Sequence, residues 1–416
     1  MSNLQAALSA LTDRIAAARA DGTPLCIRGG GSKDFLGRSH GELLDTRDLR
    51  GVISYEPTEL VVTVACGTPL AELEALLAEQ GQCLPFEPPH FSWSTPGSGA
   101  SSPATVGGML ATGLAGPARA SVGGVRDYVL GLQLINGLGQ QLSFGGQVMK
   151  NVAGYDVSRL MVGARGTLGL LTEVSLKVLP RAPAEATLCF HVEQAEALEH
   201  LHRWGGQPLP LNASCWVDDA PNPGSAWPPE GVRPLLGRPG ELPDAPNPGS
   251  ANPRLYVRLR GAVAAVEAAC HKMLAELPGQ RQDNAQTGPD WALCRDQQLP
   301  FFTARPQPGA LLWRLSLPQT APALQLPYPV LVEWHGGLRW LWAPASAAAA
   351  LQAAARQVGG SATVFWSGDA SPAGAPQALT AGEAALGAIS QRLKASFDPQ
   401  GIFNPGLTTD ANQSRA

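Results

Sequence analysis

Three glycine-rich segments hold the residues of this 416-residue chain best suited to chemistry. The first is Arg28-Gly29-Gly30-Gly31-Ser32-Lys33, directly after the apolar run Pro24-Leu25-Cys26-Ile27. Three successive glycines let a backbone turn its N–H groups onto an anion, with no Cβ to prevent close approach. Two familiar phosphate loops are excluded: Rossmann spacing needs a glycine where Asp34 stands, and the chain has no Gly-Lys dipeptide. The second segment, Pro103-Ala104-Thr105-Val106-Gly107-Gly108-Met109-Leu110-Ala111-Thr112-Gly113, puts a threonine and two glycines at the start of an expected short helix. The first N–H groups and the positive dipole end of such a helix suit an anion. The third, Gly163-Ala164-Arg165-Gly166-Thr167-Leu168-Gly169-Leu170, runs from a turn into a strand whose backbone can line a flat, neutral ligand. Each segment taken alone is equally readable as a structural turn.

Outside these segments the candidates are sparse. His335 sits beside Glu333 in an expected hairpin, where an imidazole titrating near neutrality would serve as a base. Arg339 in the same hairpin is able to hold a carboxylate bidentately. Packing of Trp334, Trp340 and Trp342 explains the hairpin equally well. His200 and His202 are the one close histidine pair; a spacing of two divides them between helix faces, so a surface pair is expected and no metal site is assigned. The seven cysteines are odd in number and form no Cys-x-x-Cys motif. That pattern suits reduced thiols and excludes an iron–sulfur cluster bound by this chain alone.

The elements that must position these residues follow from periodicity. Leu4, Leu8, Leu11 and Ile15 form the stripe of an amphipathic first helix, which rules against a secretory leader. Residues 24 to 180 alternate β-branched runs with glycine-rich turns, and Thr68-Pro69 opens a helix with Leu70, Leu73, Leu76 and Leu77 on one face that Gly81 ends. A domain boundary is expected at Pro180–Pro183. Between Gly205 and Arg254 there are 12 prolines, too many for regular structure, and Ala-Pro-Asn-Pro-Gly-Ser-Ala occurs twice; an exposed insertion is expected. The remainder reads as strand, helix, hairpin and helix, a small sheet covered on one side. Thirty basic against 34 acidic residues, a net charge of −4, and no basic face argue against nucleic acid as a partner. No apolar run is long enough to span a membrane.

In this order and spacing the three segments resemble the vanillyl-alcohol-oxidase (PCMH) type of FAD-binding domain, without a gap over residues 24 to 180. The resemblance implies an α+β protein: an FAD-binding domain of two α+β subdomains over 1–181 and a smaller α+β cap domain over 182–395. The tail 396–416 would fold back toward the flavin, with Asn404 in Asn404-Pro405-Gly406 beside it. It implies that Arg28, Gly29, Gly30, Gly31, Ser32 and Lys33, with Thr105, Gly107, Gly108, Ala111 and Thr112, clasp the FAD pyrophosphate, and that Gly166, Thr167, Leu168, Gly169 and Leu170 lie beside the ADP half. The family's usual attachment histidine is replaced by Ser32, so non-covalent FAD is expected. Arg165 stands where the family usually has glutamate, which leaves that side chain's role open.

Gly116-Pro117, Arg126-Asp127-Tyr128 and the stretch Gly145 to Asp156 resemble the small FAD subunits of glycolate oxidase complexes. That resemblance implies a larger flavin subunit and an iron–sulfur subunit as partners, a small 2-hydroxy acid as substrate of the complex, and a cytoplasmic location, with any contact to the membrane's inner face made through partners. Catalytic relatives carry a His-rich metal motif of the form HxGDGNxH, absent here. Two other readings stand beside this one: a stand-alone FAD oxidoreductase using Arg339 and His335, and a structural subunit with an inert flavin.

Overall fold

The computed structural model describes residues 2–37, 40–92, 103–146, 156–218, 253–367 and 381–407. The stretch 147–155, part of the resemblance, and most of the proline-rich segment lie outside them. The chain divides into two compact units, Met1–Leu114, Gly124–Arg181 and Pro372–Ala416 in the first, Ala115–Gly123 and Ala182–Ser371 in the second. This redraws the expected division in two places. Residues 115–123 join the second unit, and the first unit already resumes at Pro372, ahead of the tail expected from 396.

In the first unit a parallel pair, β1 (Leu25–Arg28) and β2 (Glu42–Asp45), holds the chain entering the first glycine segment. Beside it β3 (Val52–Glu56), β4 (Val61–Ala65), β6 (Val129–Ile135), β7 (Gln141–Gly145) and β8 (Leu170–Lys177) form an antiparallel sheet in the order β3-β4-β8-β6-β7; β5 (Gln82–Cys83) and β9 (Leu179–Pro180) pair separately. The first helix, Ser2–Asp21, buries Leu11, Ile15 and Ala18 against Leu25, Leu44, Leu170 and Phe403. Its apolar stripe therefore forms the floor beneath β1. Deep burial of such side chains contributes roughly 1.5–3 kcal/mol each.

The second unit is built on eight antiparallel strands, more than the small sheet expected. They are β10 (Ala184–His191), β11 (Leu211–Asp218), β12 (Pro253–Gly261), β13 (Gly279–Gln282), β14 (Leu311–Ser316), β15 (Val330–Glu333), β16 (Leu338–Ala343) and β17 (Ser361–Trp366). Their order is β13-β10-β12-β11-β15-β16-β14-β17. Helices Gln194–Gly205 and Val263–Glu276 pack Leu198, Trp204, Val266 and Met273 on β10–β12, and helix Ala348–Gln357 packs Leu351 and Ala355 on β14 and β16.

Strand β11 lies inside the segment expected to lack regular structure. Its run Leu-Asn-Ala-Ser-Cys-Trp-Val-Asp contains no proline; Pro208 and Pro210 precede it and the others follow from Pro221. Averaging over 50 residues hid it. Asp218 and Pro253 face each other in the β11–β12 ladder, so the segment between them joins two paired neighbours. Replacing residues 221–248 by a short turn is therefore expected to leave the sheet folded, with solubility, circular dichroism and flavin content unchanged. An insoluble or flavin-free product would show that the segment supports the core.

Candidate functional site

The first glycine segment leaves β1 at Arg28 and turns through Gly31, whose φ of +80° a side chain rarely adopts. Among the described residues the amides of Gly29, Gly30 and Gly31 donate to nothing. Three adjacent amides without acceptors are a ready cradle for a phosphate. The glycines also allow contact with the second segment: a Cβ on Gly29 would lie 2.4 Å from Thr105 Oγ1, and one on Gly30 only 1.4 Å from the Pro103 carbonyl oxygen. Ser32 is buried, and Lys33 Nζ donates to its hydroxyl at 3.3 Å. Arg28 is less free than expected. Its Nε and Nη2 donate to Asp34 Oδ2 at 2.9 and 2.7 Å, a bond that raises the guanidinium's pKa and spends much of its charge.

The second segment forms helix Val106–Thr112, capped by Thr105, but its first amides are not the open donors expected. Val106 N donates to Thr68 O at 2.9 Å, Gly107 N to Cys66 O at 2.6 Å, and Gly108 N to Thr105 Oγ1 at 3.2 Å. Gly107 approaches that closely because its Cβ position lies 2.9 Å from the Cys66 carbonyl. Thr112 Oγ1 in turn donates back to Gly108 O. This segment is a wall for the first loop, and the donors are on the loop.

The third segment docks on the second: Gly163 N donates to Leu110 O and Arg165 N to Ala111 O, at 2.9 and 2.8 Å. Arg165 Nη2 also donates to Leu36 O, just past the first loop. That bond gives the substituted side chain a role, clamping the third segment to the first. Gly166 has φ +71°. Thr167 Oγ1 donates to Ala164 O, Leu168 and Leu170 are buried, and the backbone passes through Gly169 into β8. Asn404 joins the set by tying rather than by pointing at a ligand. Its Oδ1 accepts from Ile27 N and its Nδ2 donates to Arg165 O, each at 2.7 Å. Phe403 bridges Leu25 beside β1. Lys394 Nζ, from helix Ala381–Phe397, donates to Thr167 O at 2.7 Å and Phe403 O at 2.8 Å while pairing with the buried Asp398. Asp398 lies in the tail expected to fold back, whereas Lys394 precedes that tail and carries no local sequence signal.

In the second unit the two catalytic candidates are already engaged. His335 is buried, with Nδ1 2.9 Å from Ser214 Oγ and Nε2 3.0 Å from Ser121 Oγ. Desolvation pushes its pKa down to about 4, which disqualifies it as a base near neutrality. Arg339 donates from Nη1 to Pro322 O and from Nη2 to Ala321 O, both at 2.7 Å, and burial pulls its pKa to about 10. It fastens a loop, and the expected carboxylate grip is not offered. Of the histidine pair, His200 is buried against Trp204, and His202 is half-buried with its Nε2 on the Gln319 carbonyl. Among the described residues no group of three His, Cys, Asp or Glu is placed to hold a metal ion.

The His335 shift has a measurable consequence. Its folded pKa lies below the unfolded value of about 6.5, so the unfolded chain binds more protons between the two values and stability falls as pH drops through that window. The expected loss between pH ~6.5 and ~4 is about 3 kcal/mol. His335→Gln should flatten that part of the denaturation-versus-pH curve; an unchanged curve would assign the dependence elsewhere.

Residues 7–145 match the family model for an FAD binding domain. The match spans the first two glycine segments. Over 400 residues the chain is 42% identical to glycolate oxidase subunit GlcE of Escherichia coli, covering 95% of this chain and 96% of that protein. The chain belongs to the GlcE family. More distant relatives share only part of the GlcE-type chain: glycolate oxidase subunit GlcD of Bacillus subtilis is 30% identical over 43% of this chain and 35% of its own length. A D-lactate dehydrogenase of Anaerostipes hadrus is 30% identical over 38% of this chain and 30% of its own. Among solved structures, alkyldihydroxyacetonephosphate synthase superimposes with a TM-score of 0.61 at 15% identity, over 95% of this chain and 74% of that one. At that identity the likeness establishes the fold, which is α+β of the PCMH type. This GlcE-family chain is thus an FAD-linked oxidoreductase subunit.

Proposed function

We propose that the chain is the small FAD-binding subunit of a glycolate oxidase (glycolate dehydrogenase) complex and serves the oxidation of glycolate to glyoxylate. The observation that carries this reading is the extent of the GlcE likeness, 95% of the chain. A shared FAD domain alone would have left the second unit unmatched. The reaction takes two electrons and two protons from glycolate. FAD supplies an acceptor that takes electrons in pairs and passes them on singly. This chain's own part is to hold that group: the amides of Gly29, Gly30 and Gly31, with Ser32 and Lys33, would receive the pyrophosphate. Thr105 to Thr112 would back that loop, and Gly166 to Leu170 would lie along the ADP half. Arg165, Asn404 and Lys394 keep these segments in register.

Removal of the α-carbon hydrogen of glycolate with its electron pair is assigned to the larger flavin subunit, and an iron–sulfur subunit is the proposed electron acceptor. We place the chain in the cytoplasm, reaching the membrane's inner face only through those partners; no helix among the described residues is long and apolar enough to cross a membrane. With serine at position 32, acid precipitation of the yellow protein is expected to release all the flavin into the supernatant. Colour in the pellet would mean a covalent link. The function itself is tested by purifying the three subunits together and assaying glycolate with a dye acceptor. Omitting this chain should abolish activity. A complex that turns over at full rate without it would remove the chain from the reaction.

A further inference from the structure

Two guanidinium groups of the second unit lie over one indole and, among the described residues, make no ion pair. The Arg119 guanidinium carbon is 4.6 Å from the centroid of the Trp334 ring, and that of Arg314 is 5.3 Å from the same centroid and 6.0 Å from that of Trp340. Among the described residues neither side chain makes a hydrogen bond or an ion pair. Arg314 Nε is buried with no acceptor among the described residues, as is Arg339 Nε, but Arg339 satisfies both of its terminal nitrogens. An arginine in the middle of a strand normally finds a carboxylate or a carbonyl, as Arg339 does on the neighbouring β16. Burial, and after it the nearby Arg119 guanidinium, pull the Arg314 pKa to about 10 against the opposing charge of Glu333.

The nearby carboxylate does not resolve the imbalance. Glu333 is committed to Trp340 Nε1 at 2.6 Å and to Cys294 Sγ at 3.2 Å, and it makes no ion pair with Arg314. His335, the next residue after Trp334, is neutral. Two positive charges against one negative leave a single uncompensated positive charge. The indole between them is held at a cost. Trp334 and His335 both have left-handed φ, at 54° and 55°, conformations a bulky residue keeps only where its surroundings impose them. Trp334 Nε1 is fixed by the Gly116 carbonyl at 3.0 Å, on the short segment that carries Arg119. The strained turn and residues 115–123 together hold the ring under both guanidiniums.

We propose that Arg119 and Arg314, held on Trp334, form a binding site for one small monocarboxylate of the 2-hydroxy or 2-oxo acid class. The proposal rests on the functional reading above for the choice of acid. It adds a ligand to a unit with no metal centre among its described residues, so binding there is expected without turnover. The charge count fits a monoanion, and the planar guanidiniums with their open N–H groups fit a carboxylate.

The test is equilibrium dialysis of the full-length, FAD-loaded chain against radiolabelled glycolate and glyoxylate. One site per chain is expected, displaced by acetate and not by the neutral analogue glycolamide. Arg119→Ala, at an exposed position, should weaken binding at least about tenfold, the scale of a lost charge-assisted hydrogen bond. Arg314→Met should abolish it while Arg314→Lys retains part. Flavin content and dye-linked activity of the complex are read separately, so failure of the functional reading is distinguishable from failure of this one. Undiminished binding in both Arg119→Ala and Arg314→Met, or equal competition by glycolamide, would overturn the proposal. So would absence of binding combined with loss of subunit assembly in the variants, which would give the two arginines to an acidic side chain of a partner.

Discussion

Mixed anaerobically with glycolate in a stopped-flow instrument, the isolated FAD-loaded chain is expected to keep its flavin absorbance. Catalytic relatives are expected, on the resemblance, to grip both hydroxyl and carboxylate of a 2-hydroxy acid with a metal, which acts as Lewis acid and template. Among the described residues here no such ligand set exists. The two side chains that might replace it are spent, Arg339 on the Ala321 and Pro322 carbonyls and His335 on Ser214 and Ser121. Productive positioning is worth roughly 7–11 kcal/mol of a barrier, so its loss costs many orders of magnitude in rate. Neither EDTA nor added zinc should alter the trace. In the reconstituted complex, by contrast, activity should require this chain. Rapid bleaching of the isolated protein would relocate the active site here, and Arg314 and Arg119 would be the first residues to replace.

The second large effect is loss of the cofactor in Gly30→Val. A Cβ at Gly30 would sit 1.4 Å from the Pro103 carbonyl oxygen and 2.4 Å from its carbon. Both are backbone atoms, so no side chain is available to move aside. The loop must lift away from the second segment, and the three open amides are then no longer aligned. Overpacking or backbone strain costs about 1–3 kcal/mol where the surroundings yield, and here the damage falls on the binding surface itself. Purified Gly30→Val is expected to carry almost no flavin per chain while the thermal transition of the second unit persists. Gly205→Ala, with open space around the position, serves as the tolerated control. A fully yellow Gly30→Val protein would move the pyrophosphate cradle elsewhere.

What the sequence revealed, and what it hid, follows sequence distance. The triple glycine, the Leu11–Ile15 stripe and the Leu70–Leu77 helix face are local signals, and each is where periodicity or turn chemistry expects it. The partners of those elements are not local. Asn404 meets Ile27 and Arg165 across 377 and 239 residues, and Arg165 reaches Leu36 across 129. Composition cannot foresee such bonds. The helix start at Val106 misled for a related reason: its amides find acceptors at Cys66 and Thr68 on a different stretch of chain. Strand β14 went unread because Arg314 breaks the apolar run Leu-Leu-Trp-Arg-Leu-Ser. That side chain is also, with Arg119, one that makes no hydrogen bond or ion pair among the described residues. His335 sits in an expected hairpin, where a turn is usually exposed, whereas this residue is buried with its ring nitrogens on Ser214 and Ser121.

The pairing of Leu25 with Phe403 and of Ile27 with Asn404 has a consequence for how the protein is made. A strand near the beginning of the chain is completed by residues translated some 377 positions later. At about 5–20 residues per second, the ribosome needs roughly 20–75 seconds to supply the missing edge. Throughout that interval the glycine loop is anchored on one side only, and the whole second unit has emerged before the first can close. Stable flavin retention is therefore expected only once synthesis is complete, and the nascent chain presents an open β1 edge until then.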